Sequence, residues 1–440
     1  MKIVLFAGAA LALASCAATG PATDPNSSAA PMQAETIDSL AADYVKLTLE
    51  ADKHEAGYVD AYYGPPELKA AADAHPRSVA QLLAEARLLT ARIDTMLRTV
   101  KNAELVRRAH YLRGSLVAAE TRLQMMGGTK FGFMAEAEGL FATTPEIKPL
   151  SYYDGLLEKL DRLVPGSGSL AERVDAFNDR YIIPKDRLKP VFEAAIAECK
   201  RRTRQHMQLP DGESFTLEFV TGKSWSGYNY YQGGYKSLIQ VNTDLPIRVS
   251  RAVDLGCHEG YPGHHVLNLM TEQKLVREKG WKEFEVNPLY SPTSVISEGS
   301  ANYGIELAFP GDEKLNFERQ VIYPLAGLDP QTADAYDQVQ KATDALVGAR
   351  RTIAKMYLDG EITRDQAIAY TQKYQLVSRA RAEQSVSFTD QYRSYVINYS
   401  WGKDLVRAFV ENGAPDTATR WSRMEQILSE PTLPSDLAVH

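Results

Sequence analysis

The sequence predicts a mainly α fold with one small β-sheet. Long stretches on both sides of a central segment carry apolar residues at helical spacing, and Pro and Gly separate these stretches. The central segment, residues 209–246, is instead rich in Gly, aromatic and β-branched residues. Residues 215–220 and 237–241 within it are predicted as short strands. The helical pattern resumes at Ile247 and continues to about Gly260.

Turn and capping residues mark several helix boundaries. Ser291 followed by Pro292 is typical of an N-cap and a first helical position, so a helix is predicted to begin there. Asp359-Gly360 is a turn signal that divides the C-terminal helical pattern. Helical spacing is also found in residues 37–54, 79–100, 103–126, 169–181, 188–207, 328–358 and 362–386.

The composition is that of an ordinary soluble protein that can bury a core. The chain has 440 residues, of which 44% are hydrophobic and 24% charged, and its net charge is −7. Lys and Arg are scattered rather than gathered in a stripe, so no nucleic-acid partner is expected. The helical pattern continues without a second linker, which predicts a single domain over 37–440. That domain has a helical part, 37–208, followed by 209–440.

The N-terminus has the pattern of a bacterial lipoprotein signal. Lys2 precedes an apolar run that is too short to span a bilayer, and Leu13-Ala14-Ser15-Cys16 resembles a lipobox. We therefore expect a signal peptide over 1–15, lipidation of Cys16, and a flexible tether over 16–36. The mature protein would be a lipid-anchored membrane protein of the cell envelope, facing the periplasm or the exterior. An ordinary secretory signal cut nearby is the alternative.

Two further cysteines, Cys199 and Cys257, do not make a disulfide framework in a chain of this size. We expect two small buried residues, with a single bridge as the alternative.

The segment CHEGYPGHH contains three of the eight histidines of the chain and differs from the zinc motif H-E-x-x-H. The residue four places after His258 is Pro262, and the next histidines are His264 and His265. On a straight helix His264 would point ~240° away from His258, and His265 would lie ~10.5 Å along the axis. An undistorted helix therefore cannot bring either histidine to a metal shared with His258.

Pro262 and Gly263 change this expectation. Proline removes a backbone donor and kinks a helix, and glycine permits the compensating backbone angles. A break at this point can bring a later histidine level with His258, with Glu259 beside it. The alternative is a helix break flanked by surface or core histidines.

A third ligand must come from elsewhere, because a catalytic zinc typically has three protein ligands and one open position. Glu298 in SEGSANYGIELAF is the best candidate, since its neighbours Ile296, Gly299 and Ala301 are apolar or small, and an unpaired carboxylate there would be costly. Glu306 is the second choice.

HEGYPGHH followed by EGSANYG resembles the bacterial family filed as domain of unknown function 885, which is grouped with zincin-like metallopeptidases. The segments GYKSLIQVNTDLP and YVINYSWGK are also similar to segments of that family. The resemblance covers most of the mature chain. It implies a zincin-like, largely helical catalytic domain with a small β-sheet beside the metal-binding helix.

The motifs assign a role to each site residue. His258, His264 and Glu298 would bind zinc, and Glu259 would act as general base on a zinc-activated water. Choosing His264 rests on the Gly-His end of the usual motif, and His265 is the alternative ligand.

Residues around the zinc are expected to assist. Tyr399 is the candidate for stabilising the oxyanion, with Tyr395 behind it. His265, Tyr303 and Tyr395 are candidates for contacts with the ligands or the substrate.

These inferences predict a zinc hydrolase, most simply a metallopeptidase that acts on a peptide or a small amide. A zinc amidase acting on cell-wall peptides and a non-catalytic binding lipoprotein are the alternatives. SLIQVN is either a strand that pairs with an extended peptide or an internal strand, and GYNYYQGGY is expected to be a mobile aromatic loop at the cleft mouth. The sequence predicts no oligomeric state.

Overall fold

The structure, a computed structural model, describes residues 36–223 and 225–438. The predicted signal peptide, Cys16 and the tether up to residue 35 lie outside the described residues. Within the described part of the chain, none of the helices is both long and apolar enough to cross a membrane.

Helices dominate the first half of the chain, as their apolar spacing predicts. The elements are α1 (Ile37–Ala51), β1 (Val59–Tyr62), α2 (Pro66–Ala74), α3 (Val79–Leu97), α4 (Ala103–Met126), α5 (Phe133–Phe141), α6 (Leu150–Leu163), α7 (Leu170–Asp179) and α8 (Leu188–Arg204).

The second half begins with strands and returns to helices. Its elements are β2 (Ser214–Val220), β3 (Gly227–Gly233), β4 (Lys236–Asn242), α9 (Ser250–Leu255), α10 (His264–Thr271), β5 (Val286–Pro288), α11 (Pro292–Ala308), α12 (Glu313–Phe317), α13 (Tyr323–Ala326), α14 (Ala333–Asp344), α15 (Ala349–Leu358), α16 (Arg364–Gln375), α17 (Arg379–Tyr392), α18 (Ile397–Glu411) and α19 (Thr417–Ser429). The mainly α prediction is confirmed, and α11 begins at Pro292 with Ser291 at the N-cap.

The larger sheet has the order β2-β4-β3, with β4 parallel to β2 and antiparallel to β3. Both predicted strands are present. SLIQVN forms most of the central strand β4, so both of its edges are already paired, and it is an internal strand. The prediction of a mobile loop at GYNYYQGGY is wrong, because residues 227–233 are the edge strand β3. The backbone groups on one edge of β3 are paired with β4, and the Gly- and Tyr-rich sequence did not indicate this pairing.

The N-terminal helices share packing with the part of the chain that carries the histidine motif. Strand β1 pairs antiparallel with β5 just before α11. Leu40 and Leu112 from the N-terminal helices lie in one buried cluster with Val295 of α11 and Ile397 of α18. The N-terminal helices and β1 therefore help to hold α11 in position.

Helices α11 and α18 cross at two glycines. A Cβ atom on Gly299 would lie 2.5 Å from the backbone of Gly402, and one on Gly402 would lie 2.6 Å from the Val295 carbonyl oxygen. Only glycine at both positions allows this approach. The crossing brings Glu298, the residue before Gly299, close to Tyr395 in the short 3-10 turn that precedes α18.

Cys199 of α8 and Cys257, the residue before His258, form a disulfide. The expectation of two separate thiols is wrong. The two Cα atoms lie 5.5 Å apart, within the usual range for a bridge. The two cysteines are 58 residues apart in the sequence, and they meet because α8 packs against the turn that follows α9.

Candidate metal centre and cleft

The break between His258 and His264 follows from the local backbone. Helix α9 widens into a π-helical turn over Gly256–Gly260, the chain turns at Pro262, and α10 begins at His264. The Gly263 N–H donates to the Cys257 carbonyl oxygen over 3.1 Å. A Cβ atom on Gly263 would lie 1.8 Å from the His258 carbonyl oxygen, so no larger residue fits this turn.

The break brings the two imidazoles together. The ring centroids of His258 and His264 are 4.6 Å apart, and the rings are nearly perpendicular. Oε2 of Glu298, on α11, lies 3.3 Å from Nε2 of His258 and 3.9 Å from Nε2 of His264. One potential ligand atom from each residue lies within 4.8 Å of the others, and no other set of this kind occurs within the described residues.

The donor set fits a zinc ion. Two imidazole nitrogens and one carboxylate oxygen are zinc ligands, and bonds of ~2.0–2.1 Å in a tetrahedron place ligand atoms roughly 3.3–3.5 Å apart. Oε2 of Glu298 is buried and has no hydrogen-bond partner among the described residues, although both imidazoles are near. A buried carboxylate oxygen without a partner is costly, and a cation at this point would remove that cost.

Neighbouring hydroxyl groups orient two of the three candidate ligands. Ser297 Oγ lies 2.9 Å from Nδ1 of His264, where it can accept from a protonated Nδ1 and leave Nε2 free to ligate. The Tyr395 hydroxyl donates to the other oxygen of Glu298, Oε1, over 3.2 Å. Both contacts fix the ring or carboxylate that would face a metal.

Burial and mutual charge shift the pKa values of this cluster. Burial and repulsion from His258 lower the pKa of His264 to about 4, so that its ring is neutral at physiological pH. Burial opposes the charge on Glu298, but the two nearby imidazoles outweigh it and lower the pKa of this carboxyl. Burial opposes the charge on His258, but its contacts with Glu298 and Glu259 outweigh burial and raise the pKa of this ring. Ligation requires two neutral imidazoles beside an ionised carboxylate, so a metal would displace a proton from His258.

Glu259 lies beside this cluster and is 4% exposed. Burial, reinforced by the charge of Glu298 and opposed by His258, raises its pKa to about 7. The edge strand β3 covers it: Asn229 Nδ2 donates to the Glu259 carbonyl oxygen over 2.6 Å. A Cβ atom on Gly227 would lie 2.7 Å from Oε1 of Glu259, so glycine leaves room for this carboxylate.

The cluster opens into a cleft of about 1720 Å³. Its walls come from both halves of the chain. Asp60 of β1 receives a hydrogen bond from the Tyr228 hydroxyl, and burial raises the pKa of this aspartate. Tyr399 also lines the cleft, and its ring centroid lies 5.9 Å from that of Tyr395. Arg350 lines the same wall, with its guanidinium 5.7 Å from the Tyr399 ring.

Three other predicted site residues, His265, Tyr303 and Glu306, have their partners outside the cluster of candidate ligands. His265 is fully buried, with Nδ1 2.7 Å from Ser237 Oγ and Nε2 3.1 Å from Glu213, so it does not face the cleft. Tyr303 donates a hydrogen bond to Glu411.

Glu306, the second choice for a ligand, pairs with Lys403 and Arg407 and leaves Glu298 as the carboxylate of the cluster.

Sequence reasoning missed Ser297, Gly227, Asp60 and Arg350. Ser297 directly precedes Glu298 in SEGSANYG, so the motif could have indicated a hydroxyl group beside a candidate ligand. Asp60 and Arg350 are distant in sequence from both motifs and carry no local signal.

No protein-family model matches the chain, and no curated protein matches it. The resemblance to domain of unknown function 885 therefore stays a prediction. A solved structure called a "putative lipoprotein", from Colwellia psychrerythraea, is 13% identical with a TM-score of 0.49, over 82% of this chain and 68% of that one. An M32 carboxypeptidase from Deinococcus radiodurans R1 is also 13% identical, with a TM-score of 0.39, over 91% and 92% of the two chains. At this level of likeness neither structure says what this chain does.

Proposed function

We propose that the protein is a zinc-dependent hydrolase that cleaves peptide or amide bonds. The observation that carries the proposal is the convergence of His258, His264 and Glu298, with one buried carboxylate oxygen left without a hydrogen bond. These three residues would hold the zinc. When bound, zinc polarises a scissile carbonyl and makes water a better nucleophile near neutral pH.

Glu259 moves the protons. It follows a candidate ligand directly, and its carboxylate, buried beside the cluster, has a pKa of about 7. Near neutral pH it can accept a proton from the attacking water and donate it to the leaving nitrogen. The new bond joins the water oxygen to the carbonyl carbon, and the bond from that carbon to nitrogen breaks.

Two tyrosines that line the cleft would complete the site. Tyr399 lines the cleft and would donate a hydrogen bond to the oxyanion. Tyr395, which is bonded to Glu298, would hold that carboxylate in place. Strand β3 has no strand partner on its outer edge among the described residues, and an extended peptide could pair with it.

A lipid-anchored location in the cell envelope also belongs to the proposal. The disulfide between Cys199 and Cys257 supports an oxidising compartment, because such bridges are rare in the reducing cytosol. The lipobox-like sequence at Cys16 supplies the membrane attachment.

The test is hydrolysis of a mixed peptide panel, read by mass spectrometry, with zinc-loaded protein and its Glu259→Gln variant. We expect the variant to keep about one zinc per chain and to lose at least ~100-fold in rate. Glu306→Gln, a glutamate of α11 that is paired with Lys403, is the control and should hydrolyse normally. Zinc binding without hydrolysis by the wild-type protein would favour a binding lipoprotein.

A further inference from the structure

We propose that Arg350 binds a carboxylate of the substrate, so that the preferred substrates are peptides with a free carboxylate near the scissile bond. The inference rests on the proposed function for the cleavage step, but the carboxylate site itself can be tested by binding alone.

Arg350, unlike most cationic side chains of the cleft, has no carboxylate partner among the described residues. Arg351 lies 3.0 Å from Asp404, Lys314 lies 2.9 Å from Glu318, and Arg248 lies 2.6 Å from Asp175. Arg350 has no ion pair within the described part of the chain, and its Nε is buried without a hydrogen bond. An arginine that is partly withdrawn from water without an anion is costly, which points to an anion supplied from outside the chain.

Aromatic rings hold the guanidinium in a defined place. It lies 5.1 Å from the Phe388 ring centroid and 5.7 Å from that of Tyr399. Tyr399 packs on Tyr395, whose hydroxyl donates to Glu298. Tyr399 and Tyr395 therefore connect Arg350 to the candidate metal ligand by a chain of side-chain contacts. A guanidinium packed against two neighbouring rings presents its planar fork in a restricted orientation, which suits bidentate binding of a carboxylate.

A second unpaired donor lies beside it. Gln375 lines the cleft and also, with Arg350 and Ser385, a small cavity in its wall. Nε2 of Gln375 is buried and has no hydrogen-bond partner among the described residues. Arg350 and Gln375 both line the cleft, and two N–H donors without acceptors there fit a ligand group that carries several acceptor oxygens.

The position of Arg350 in its helix is unfavourable without such a ligand. It lies in the first turn of α15, where the helix dipole favours anions and disfavours cations. A cation placed at a helix N-terminus without an anionic partner in the chain is typical of a functional position.

The charges of the cleft also set where a substrate carboxylate can lie. Asp60 and Glu259 line the cleft beside the candidate zinc ligands, and carboxyl groups offer a substrate carboxylate no cationic partner there. The carboxylate would therefore lie at Arg350, with the scissile bond at Glu259. The carboxylate could be the C-terminus of the peptide or an acidic side chain, since a guanidinium forms the same pair of hydrogen bonds with both.

The first experiment measures binding in the zinc-loaded Glu259→Gln variant, by fluorescence anisotropy. The probes are dansyl-Gly-Leu-Phe with a free C-terminus, the same peptide as the C-terminal amide, and dansyl-Gly-Leu-Glu amide. We expect the free acid to bind about 10- to 100-fold tighter than its amide. Tight binding of the Glu amide as well would identify side-chain carboxylates as a second source.

Arg350→Met should abolish the preference for carboxylate probes, and Arg350→Lys should retain part of it. Arg381→Met is the matched control, because Arg381 also lines the cleft without an ion pair among the described residues, but lies on α17. It should leave the preference unchanged. Thermal melting checks that each variant is folded. If Arg350→Met does not fold, the ratio of acid to amide binding in Arg350→Lys tests the proposal in its place.

Equal binding of acid and amide, binding of neither probe, or a preference that survives Arg350→Met would overturn the proposal. The wild-type protein should release a short C-terminal fragment from the free acid, and cleavage that ignores the carboxylate would also count against it. An Arg350-dependent preference without any hydrolysis would retain the carboxylate site and overturn the proposed function.

Discussion

Nε2 of His258 lies 3.3 Å from Oε2 of Glu298, although the two residues belong to different helices. The contact depends on the crossing of α11 with α18 at Gly299, and the break that ends the π-helical turn at Gly260 brings His264 to it. It joins the two sequence motifs into one cluster of potential ligands.

Removing either side chain should remove the metal. We expect about one zinc per chain in the wild-type protein and almost none in His258→Ala or Glu298→Gln, because a catalytic zinc held by two protein ligands is weakly bound. Elemental mass spectrometry after dialysis measures this. Glu306→Gln on the same helix should retain the zinc, since Glu306 pairs with Lys403 and Arg407. Zinc retained in both ligand variants would rule out this cluster as the site.

Ser297→Ala should weaken zinc binding by about 10- to 100-fold, which is typical for loss of a group that orients a metal-bound histidine. The reason is the 2.9 Å contact between Ser297 Oγ and His264 Nδ1. Competition with a chelator gives the affinity. Ser300→Ala is the control, because the Ser300 hydroxyl donates to a backbone carbonyl oxygen. An unchanged affinity in Ser297→Ala would mean that His264 is held by packing alone.

Gly227→Ala should lower activity by about 100-fold with little loss of stability, since a shift of ~1 Å in a catalytic group can cost this much. The added Cβ would lie 2.7 Å from Oε1 of Glu259 and 2.8 Å from Cδ2 of Leu255, both at the ends of side chains that can move aside. Peptide hydrolysis and thermal melting separate the two effects. Gly155→Ala, at an open position in α6, is the control. Full activity in Gly227→Ala would argue against Glu259 as the base.

The buried Glu213 should make stability sensitive to acid. Burial disfavours its charge, but hydrogen bonds from His265 and Tyr261 and the ion pair with Lys200 lower its pKa from 4.5 to about 2. Because the folded pKa is the lower one, the stabilisation is fully present above pH 4.5 and is lost as the pH falls toward 2. The difference corresponds to about 3 kcal/mol.

Urea unfolding at pH 6 and pH 3 tests this. Glu213→Gln should destabilise the protein more at pH 6 than at pH 3. Glu218→Gln, an exposed glutamate on β2, should have little effect at either pH. The same loss at both pH values for Glu213→Gln would mean that packing, rather than charge, accounts for its contribution.

The disulfide should contribute about 4 kcal/mol to the free energy of unfolding, because it closes a loop of 58 residues in the unfolded chain. We expect the double variant Cys199→Ala/Cys257→Ala to unfold at a lower urea concentration than the wild-type protein. Adding a reductant to the wild-type protein should reproduce the shift, and adding it to the double variant should change nothing. Coincident unfolding curves for oxidised and reduced wild-type protein would contradict the prediction.

Local patterns in the sequence determined the helical class, the strands at 215–220 and 237–241, and the start of α11 at Pro292. They also located the helix break at Pro262-Gly263, because proline and glycine act on the backbone at their own positions. Helices, strands and helix breaks of this kind depend on side-chain spacing and capping residues within one short segment. They can therefore be predicted without knowing which distant segments pack together.

Only the tertiary structure decided which groups meet. Spacing left His264 and His265 as alternatives, and the backbone between Gly260 and Gly263 turns His264 toward Glu298 while His265 faces Glu213. The bond between Cys199 and Cys257 and the strand β3 were likewise missed. Each of these depends on contacts between segments that are far apart in the chain, and such contacts arise from packing that no local pattern records.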